Sequence, residues 1–142
     1  MSQRQDAIRK HTADQLALER HILEAIERQR GDDTLKADAR ANKVVIEIER
    51  TLRGHVEELE RLAEDLDAGV QSALKKAVTE VLGLAAGLYD KVREHPVSRM
   101  LRDDYTALSL AAMGYTAYHS FGLAIGEDRI ATLAERHLRN LT

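Results

Sequence analysis

Apolar residues return every three or four positions along almost the whole chain, the spacing of one face of an α-helix. Interruptions are few, falling at Gly31-Asp32-Asp33, near Asp67, at His95-Pro96 and at Gly126. A chain so rarely punctuated, with one proline, one phenylalanine, no tryptophan and abundant Ala, Leu, Glu and Arg, predicts an all-α fold of about five helices. Its 142 residues suit one helical domain over 1–142. The balance of 44% hydrophobic to 32% charged residues supports a packed core over a disordered chain.

The first helix is expected over roughly 3 to 30, with Ile8, Thr12, Leu16, Ile22 or Leu23, and Ile26 on one side and Gly31 as its stop. The second, roughly 33 to 66, aligns Val45, Ile48, Leu52, His55, Leu59, Leu62 and Leu66 in a bundle seam. The third, roughly 68 to 94, repeats the pattern with Val70, Leu74, Ala77, Val81, Leu84, Leu88 and Val92. Its Gly83, Ala86 and Gly87 form a smooth patch suited to close approach of a neighbour. Pro96 fits the first turn of a fourth helix, because its missing amide proton has no intrahelical acceptor there. Residues 107–125 of that helix carry no charge, so it must be covered on most sides, within the bundle or in a dimer interface. A short fifth helix is expected from about Glu127 to the end, with Ile130, Ala134, His137 or Leu138, and Leu141 inward.

Charge and composition exclude several functions. The net charge of -3, with acids and bases interspersed, offers no sustained positive face for nucleic acid. The absence of cysteine removes disulfides, thiolate metal sites and thiol nucleophiles. A membrane span is the rival reading of residues 107–125, but Ser109, Thr116, His119, Ser120 and the glycines weaken it, and the flanking helices are strongly charged. The N-terminal stretch lacks an apolar signal core, and a cytoplasmic location is expected.

His55, His119 and His137 fall on apolar helix faces, and Glu19 interrupts the first stripe. Inward carboxylates and histidines are how bundles build di-metal sites, because each ion needs several O and N ligands. The candidate set on this spacing is Glu19, His55, His119 and His137. Axial register argues against it. With the first turn centred near Gly31-Asp32, Glu19 and His55 are offset by roughly 15 Å, unless 33–41 is a loop that moves the turn towards residue 37. His119 and His137 lie about 6 Å apart along the axis by the same rise. The alternative is that each histidine sits in the core or at its boundary, bonded to a backbone carbonyl or to Tyr105, Tyr115 or Tyr118.

Asp103 and Asp104 are adjacent, so they diverge by about 100° on a helix and cannot converge on one atom; favourable charge near a helix N-terminus explains them. The acids from Glu57 to Asp67, interleaved with Arg53 and Arg61, read as a solvated, ion-paired face. A small-molecule cavity lined by Tyr105, Met113, Tyr115, Tyr118 and Phe121 is a further possibility, though aromatic spacing on a helix is more often core. No nucleophile triad, phosphate loop or zinc motif is present.

Leu18-Glu19-Arg20-His21-Ile22-Leu23-Glu24-Ala25-Ile26 resembles the first helix of the bacterial ferritin-like family that includes YciE and YciF. His55-Val56-Glu57-Glu58-Leu59-Glu60-Arg61-Leu62 resembles its second, and the uncharged helix followed by Ile125-Gly126-Glu127-Asp128 its third core helix and turn. The resemblance implies a ferritin-like up-and-down four-helix bundle with an additional helix, stress-associated, with a di-iron or di-manganese centre. Glu19, and Glu58 beside His55, match the ligand-bearing helices. Counting back from Gly126, however, Leu108 stands where the family has an inward Glu, and Asn140 and Leu141 replace its final acidic pair. The expectation is therefore a non-catalytic bundle without cofactor or bound metal, associating with itself as a dimer or with another protein. A metal-binding oxidoreductase is the alternative.

Overall fold

A computed structural model describes residues 2–66, 70–85 and 96–142. Among these the chain is all-α, with six helices and no strand: α1 (Gln3–Arg30), α2 (Asp33–Ala37), α3 (Ala39–Leu66), α4 (Val70–Ala85), α5 (Pro96–Ile125) and α6 (Asp128–Leu141). No helix among the described residues is long and apolar enough to cross a membrane.

Two aspartates make the first turn. The Ser2 hydroxyl caps the start of α1 by accepting from the Gln5 amide, and α1 ends at Gly31, whose φ of -82° makes no use of glycine's freedom. The Asp32 carboxylate then accepts from the Leu35 amide and starts α2. Asp38, extended at φ -98° and ψ 97°, breaks the chain again, and its carboxylate accepts from the Ala41 amide to start α3. The expected single helix over 33–66 is thus two, because each aspartate bonds the backbone amides of the turn that follows it.

Helix α1 is the centre of the molecule. Beyond its expected stripe it also buries Ala13, Gln15, Ala17, Leu18, Glu19 and Ala25, since α3, α4 and α5 all pack against it. Side-chain pairs give the directions. Arg30 reaches Glu49 and Gln5 reaches the Leu66 carbonyl, so α3 runs antiparallel to α1. Gln29 reaches Asp104, Thr12 reaches Tyr118 and Arg4 reaches the Ile125 carbonyl, so α5 also runs antiparallel to α1. Gly126, at φ 69°, then turns the chain into α6, which packs on α5 and α3. Helices α1, α3, α6 and α5 thereby enclose one core. Because α3 and α5 point the same way, the helices of this core do not alternate up and down as expected: α4, packed on α1, lies in the connection that carries the chain from the Leu66 end of α1 to the Asp104 end.

Helix α4 lies outside this ring against α1, burying Val70, Leu74, Ala77 and Val81 as its spacing predicts. Among the described residues no atom comes within 4 Å of a Cβ built at Gly83, so none of them approaches closely there. Asp67, Ala86, Gly87, Leu88, Val92 and His95, which entered the readings above, lie outside the described residues. The close approach occurs instead at Gly122, where a Cβ would meet the Ala131 amide nitrogen at 2.7 Å, so any side chain there must push α6 away. The cover expected on most sides of α5 leaves one face open among the described residues: Tyr105, Met113 and Leu123 are 75%, 69% and 61% exposed.

Candidate functional site: a buried glutamate, histidine and tyrosine network

The break at Asp38 moves the midpoint of the α1–α3 pairing to residue 37, and so makes Glu19 and His55 level. His55 Nδ1 lies 3.1 Å from Glu19 Oε1, and the expected axial offset between them is absent. On the other side of the core the Gly126 turn makes Tyr115 level with His137, whose Nδ1 is 2.9 Å from the Tyr115 hydroxyl. The two pairs meet face to face. The imidazoles of His55 and His137 stack with centroids 3.9 Å apart and planes 9° from parallel, and the Tyr115 ring stands edge-on to both. Glu58, one turn after His55, approaches His137 Nε2 to 3.5 Å and is bound by Arg136. Asn140 Nδ2 lies 3.0 Å from His55 Nε2.

Glu19 and His137 are 0% exposed, and His55 and Tyr115 are equally enclosed, so protons here are set by the neighbours and not by water. One assignment satisfies the pairs: His55 donates from Nδ1 to Glu19 and accepts at Nε2 from Asn140. The Tyr115 hydroxyl donates to His137 Nδ1, which leaves the His137 Nε2 proton facing Glu58. Burial first, and then the neighbouring His55, pull His137 down to about 4, so it is neutral at pH 7. Burial and the nearby Glu19 push the Tyr115 hydroxyl far above its ordinary range. Burial works to raise Glu58, but Arg136 and His137 outweigh it and hold this carboxyl below the usual range. Beside this group Thr12 bonds Tyr118 at 2.7 Å, and burial pushes that phenol up to about 12.

Of the five residues singled out in the sequence, Glu19, His55, Glu58 and His137 converge. His119 does not: it is half-buried on α5 and belongs to the surroundings of Glu135 on α6. Asp103 and Asp104 are not N-terminal surface charges. They are buried well inside α5, and Asp104 accepts from Gln29 at 2.6 Å. The aromatic set lines no common cavity, since Tyr115 and Tyr118 face the core while Tyr105 and Met113 face outward. The acidic run is ion-paired as expected at Glu60, which binds Arg20, but Glu58 turns toward the core. Gln15, which donates to the Ala111 carbonyl at 3.3 Å, and Asn140 as a partner of His55 are not singled out by the sequence reading. Both had a signal: Thr12, Gln15 and Glu19 recur at helical spacing on one buried face, and Asn140 follows His137 by three residues.

This donor set does not fit a di-metal centre. Bundles that hold two ions place a carboxylate on each of two helices and a Glu-x-x-His pair on each of the other two. Here the positions three before the histidines are Leu52 and Ala134, and α5 presents Tyr115. Leu108, Asn140 and Leu141, where carboxylates were expected to be missing, instead line a cavity of about 350 Å³ with Leu52 and Ile48. The imidazoles are stacked, with their nitrogens committed to different partners, and no group of three or more His, Asp or Glu among the described residues is arranged to hold an ion. No protein-family model, curated protein or solved structure matches the chain.

Proposed function

We propose that the chain is a ferritin-like bundle without the metal chemistry of that family, and that it works by associating with a second copy of itself. The exposed, charge-free face of α5 carries the reading. Three large apolar side chains, Tyr105, Met113 and Leu123, stand in water on a helix whose opposite face is already packed. Patches of this kind on a folded chain mark a surface that another protein covers. The antiparallel α1–α3 and α5–α6 pairs, joined by one long crossover, support the ferritin-like part, because that connectivity is characteristic of ferritin-like folds. The family likeness adds the expectation of a role under stress. Light scattering coupled to size-exclusion chromatography is expected to show a monomer–dimer equilibrium in the low-micromolar range. A monomer at every micromolar concentration would overturn the association.

The alternative, a di-iron or di-manganese oxidoreductase, requires the stacked histidines to separate and two carboxylates to serve two ions. Anaerobic incubation with Fe(II) or Mn(II), followed by elemental analysis and thermal melting, is expected to show neither bound metal nor a higher melting temperature. Two ions per chain with a raised melting temperature would replace the proposal with the oxidoreductase.

A further inference from the structure

The cavity of about 350 Å³ lies among α3, α5 and the last turn of α6. Its wall is mostly hydrocarbon, from Val44, Ile48, Leu52, Leu108 and Leu141, and its volume falls within the range of about 300–1,000 Å³ that small ligands occupy. Val44, Ile48 and Leu52 recur every four residues, so they form one stripe on α3 about 12 Å long. Val44 is 49% exposed at its outer end, and Leu52 is fully enclosed at its inner end. The polar group at the inner end is already engaged, since the Asn140 amide bonds His55, one turn beyond Leu52.

Free charge is found at the outer end. Lys43 lines the cavity there and, like Arg40 one turn before it, is exposed and makes no ion pair among the described residues. The nearby acids are taken. Glu47, which also lines the cavity, is bound by Arg50 at 3.3 Å, Glu49 is bound by Arg30 at 2.9 Å and Arg53 at 3.4 Å, and Asp38 accepts from the Ala41 amide at 3.0 Å. Lys43 and Arg40 stand near the start of α3, where the aligned peptide dipoles add to their positive field. An apolar stripe thus ends at cations that have no partner.

We infer that this cavity binds a small amphipathic monoanion, a medium-chain carboxylate in class, with its hydrocarbon along Val44, Ile48 and Leu52 and its carboxylate at Lys43. A phosphate ester fits less well, because phosphate is held by several converging donors and arginine forks, whereas Lys43 is the one cationic side chain in this wall. The inference does not depend on the self-association proposed above, since Tyr105, Met113 and Leu123 of the exposed α5 face take no part in the cavity.

Octanoate is the probe, titrated at pH 7 into the 142-residue protein and followed by calorimetry and by the methyl spectra of its Leu, Ile, Val and Met side chains. Saturable binding of one octanoate per chain is expected, with shifts centred on Val44, Ile48, Leu52, Leu108 and Leu141. Lys43→Gln, at an exposed position, is expected to weaken binding about fivefold, near the upper limit for a surface ion pair, and 1-octanol, with the same chain and no charge, is expected to bind the parent protein more weakly by at least that factor. Ile48→Trp, with helicity checked by circular dichroism, fills the cavity and is expected to abolish binding. Absence of saturation, shifts centred on Met113 and Leu123, an unchanged affinity in Lys43→Gln, or equal affinity for octanol and octanoate would each overturn the inference.

Discussion

Glu19→Ala is expected to lower the unfolding free energy by about 1–3 kcal/mol, the cost of leaving a buried hydrogen-bond donor without its acceptor. The substitution leaves His55 Nδ1–H facing a void in a site that water does not reach, and removes a residue that is itself fully enclosed. Glu19→Gln keeps an acceptor at the same place and is expected to cost only about 1 kcal/mol. Urea unfolding at pH 7 measures both, with the slope of the transition unchanged if the native state keeps its compactness. A loss below about 1 kcal/mol for the alanine variant would mean that the Glu19–His55 pair is not closed in solution.

Mild acid is the second large effect. His137 has an ordinary value of 6.5 and is held at about 4 in the fold, so below 6.5 the unfolded chain binds a proton that the folded one refuses. Stability is therefore complete above that value and falls as the pH drops towards 4, by about 1–2 kcal/mol between pH 7 and pH 5. Glu58, held below the usual carboxylate range, contributes in the same direction but only at still lower pH, where it protonates more readily in the unfolded chain. His11, lowered chiefly by partial burial, adds to the loss in the same window as His137. The comparison with His137→Phe separates the two, since that variant should retain only the His11 part of the slope. A free energy equally pH-dependent in the variant and the parent chain would show that His137 is not the buried neutral group.

Both effects follow from one arrangement, and its parts differ in how far the sequence discloses them. Glu19, His55 and His137 stand out as polar residues at helical spacing on apolar faces, and Tyr115 is among the phenols that such a histidine can bond. Which of them touch depends on register. Each residue of turn moved from loop to helix shifts a pair along the axis by 1.5 Å, and the extended Asp38 accounts for the difference between an apparent offset of roughly 15 Å and a hydrogen bond. The signal was Asp38, three residues before the amide it caps, within a stretch read as one helix.

What the sequence by itself determines is local: the helical class, the positions of the long helices, the stop at Gly31, the turn at Gly126 and the charge-free run of α5. These depend on spacing, caps and backbone conformation, which neighbours along the chain decide. Only the tertiary structure decides that α1 is enclosed on several sides, that Asp104 is buried against Gln29, that two histidines from distant helices stack, and that His119 stays apart. It also decides that one face of α5 is left uncovered, because a helix of small and apolar residues can be packed on any side. Those outcomes depend on which faces meet across long loops, and hydrophobic periodicity says that a face is apolar without naming what it packs against.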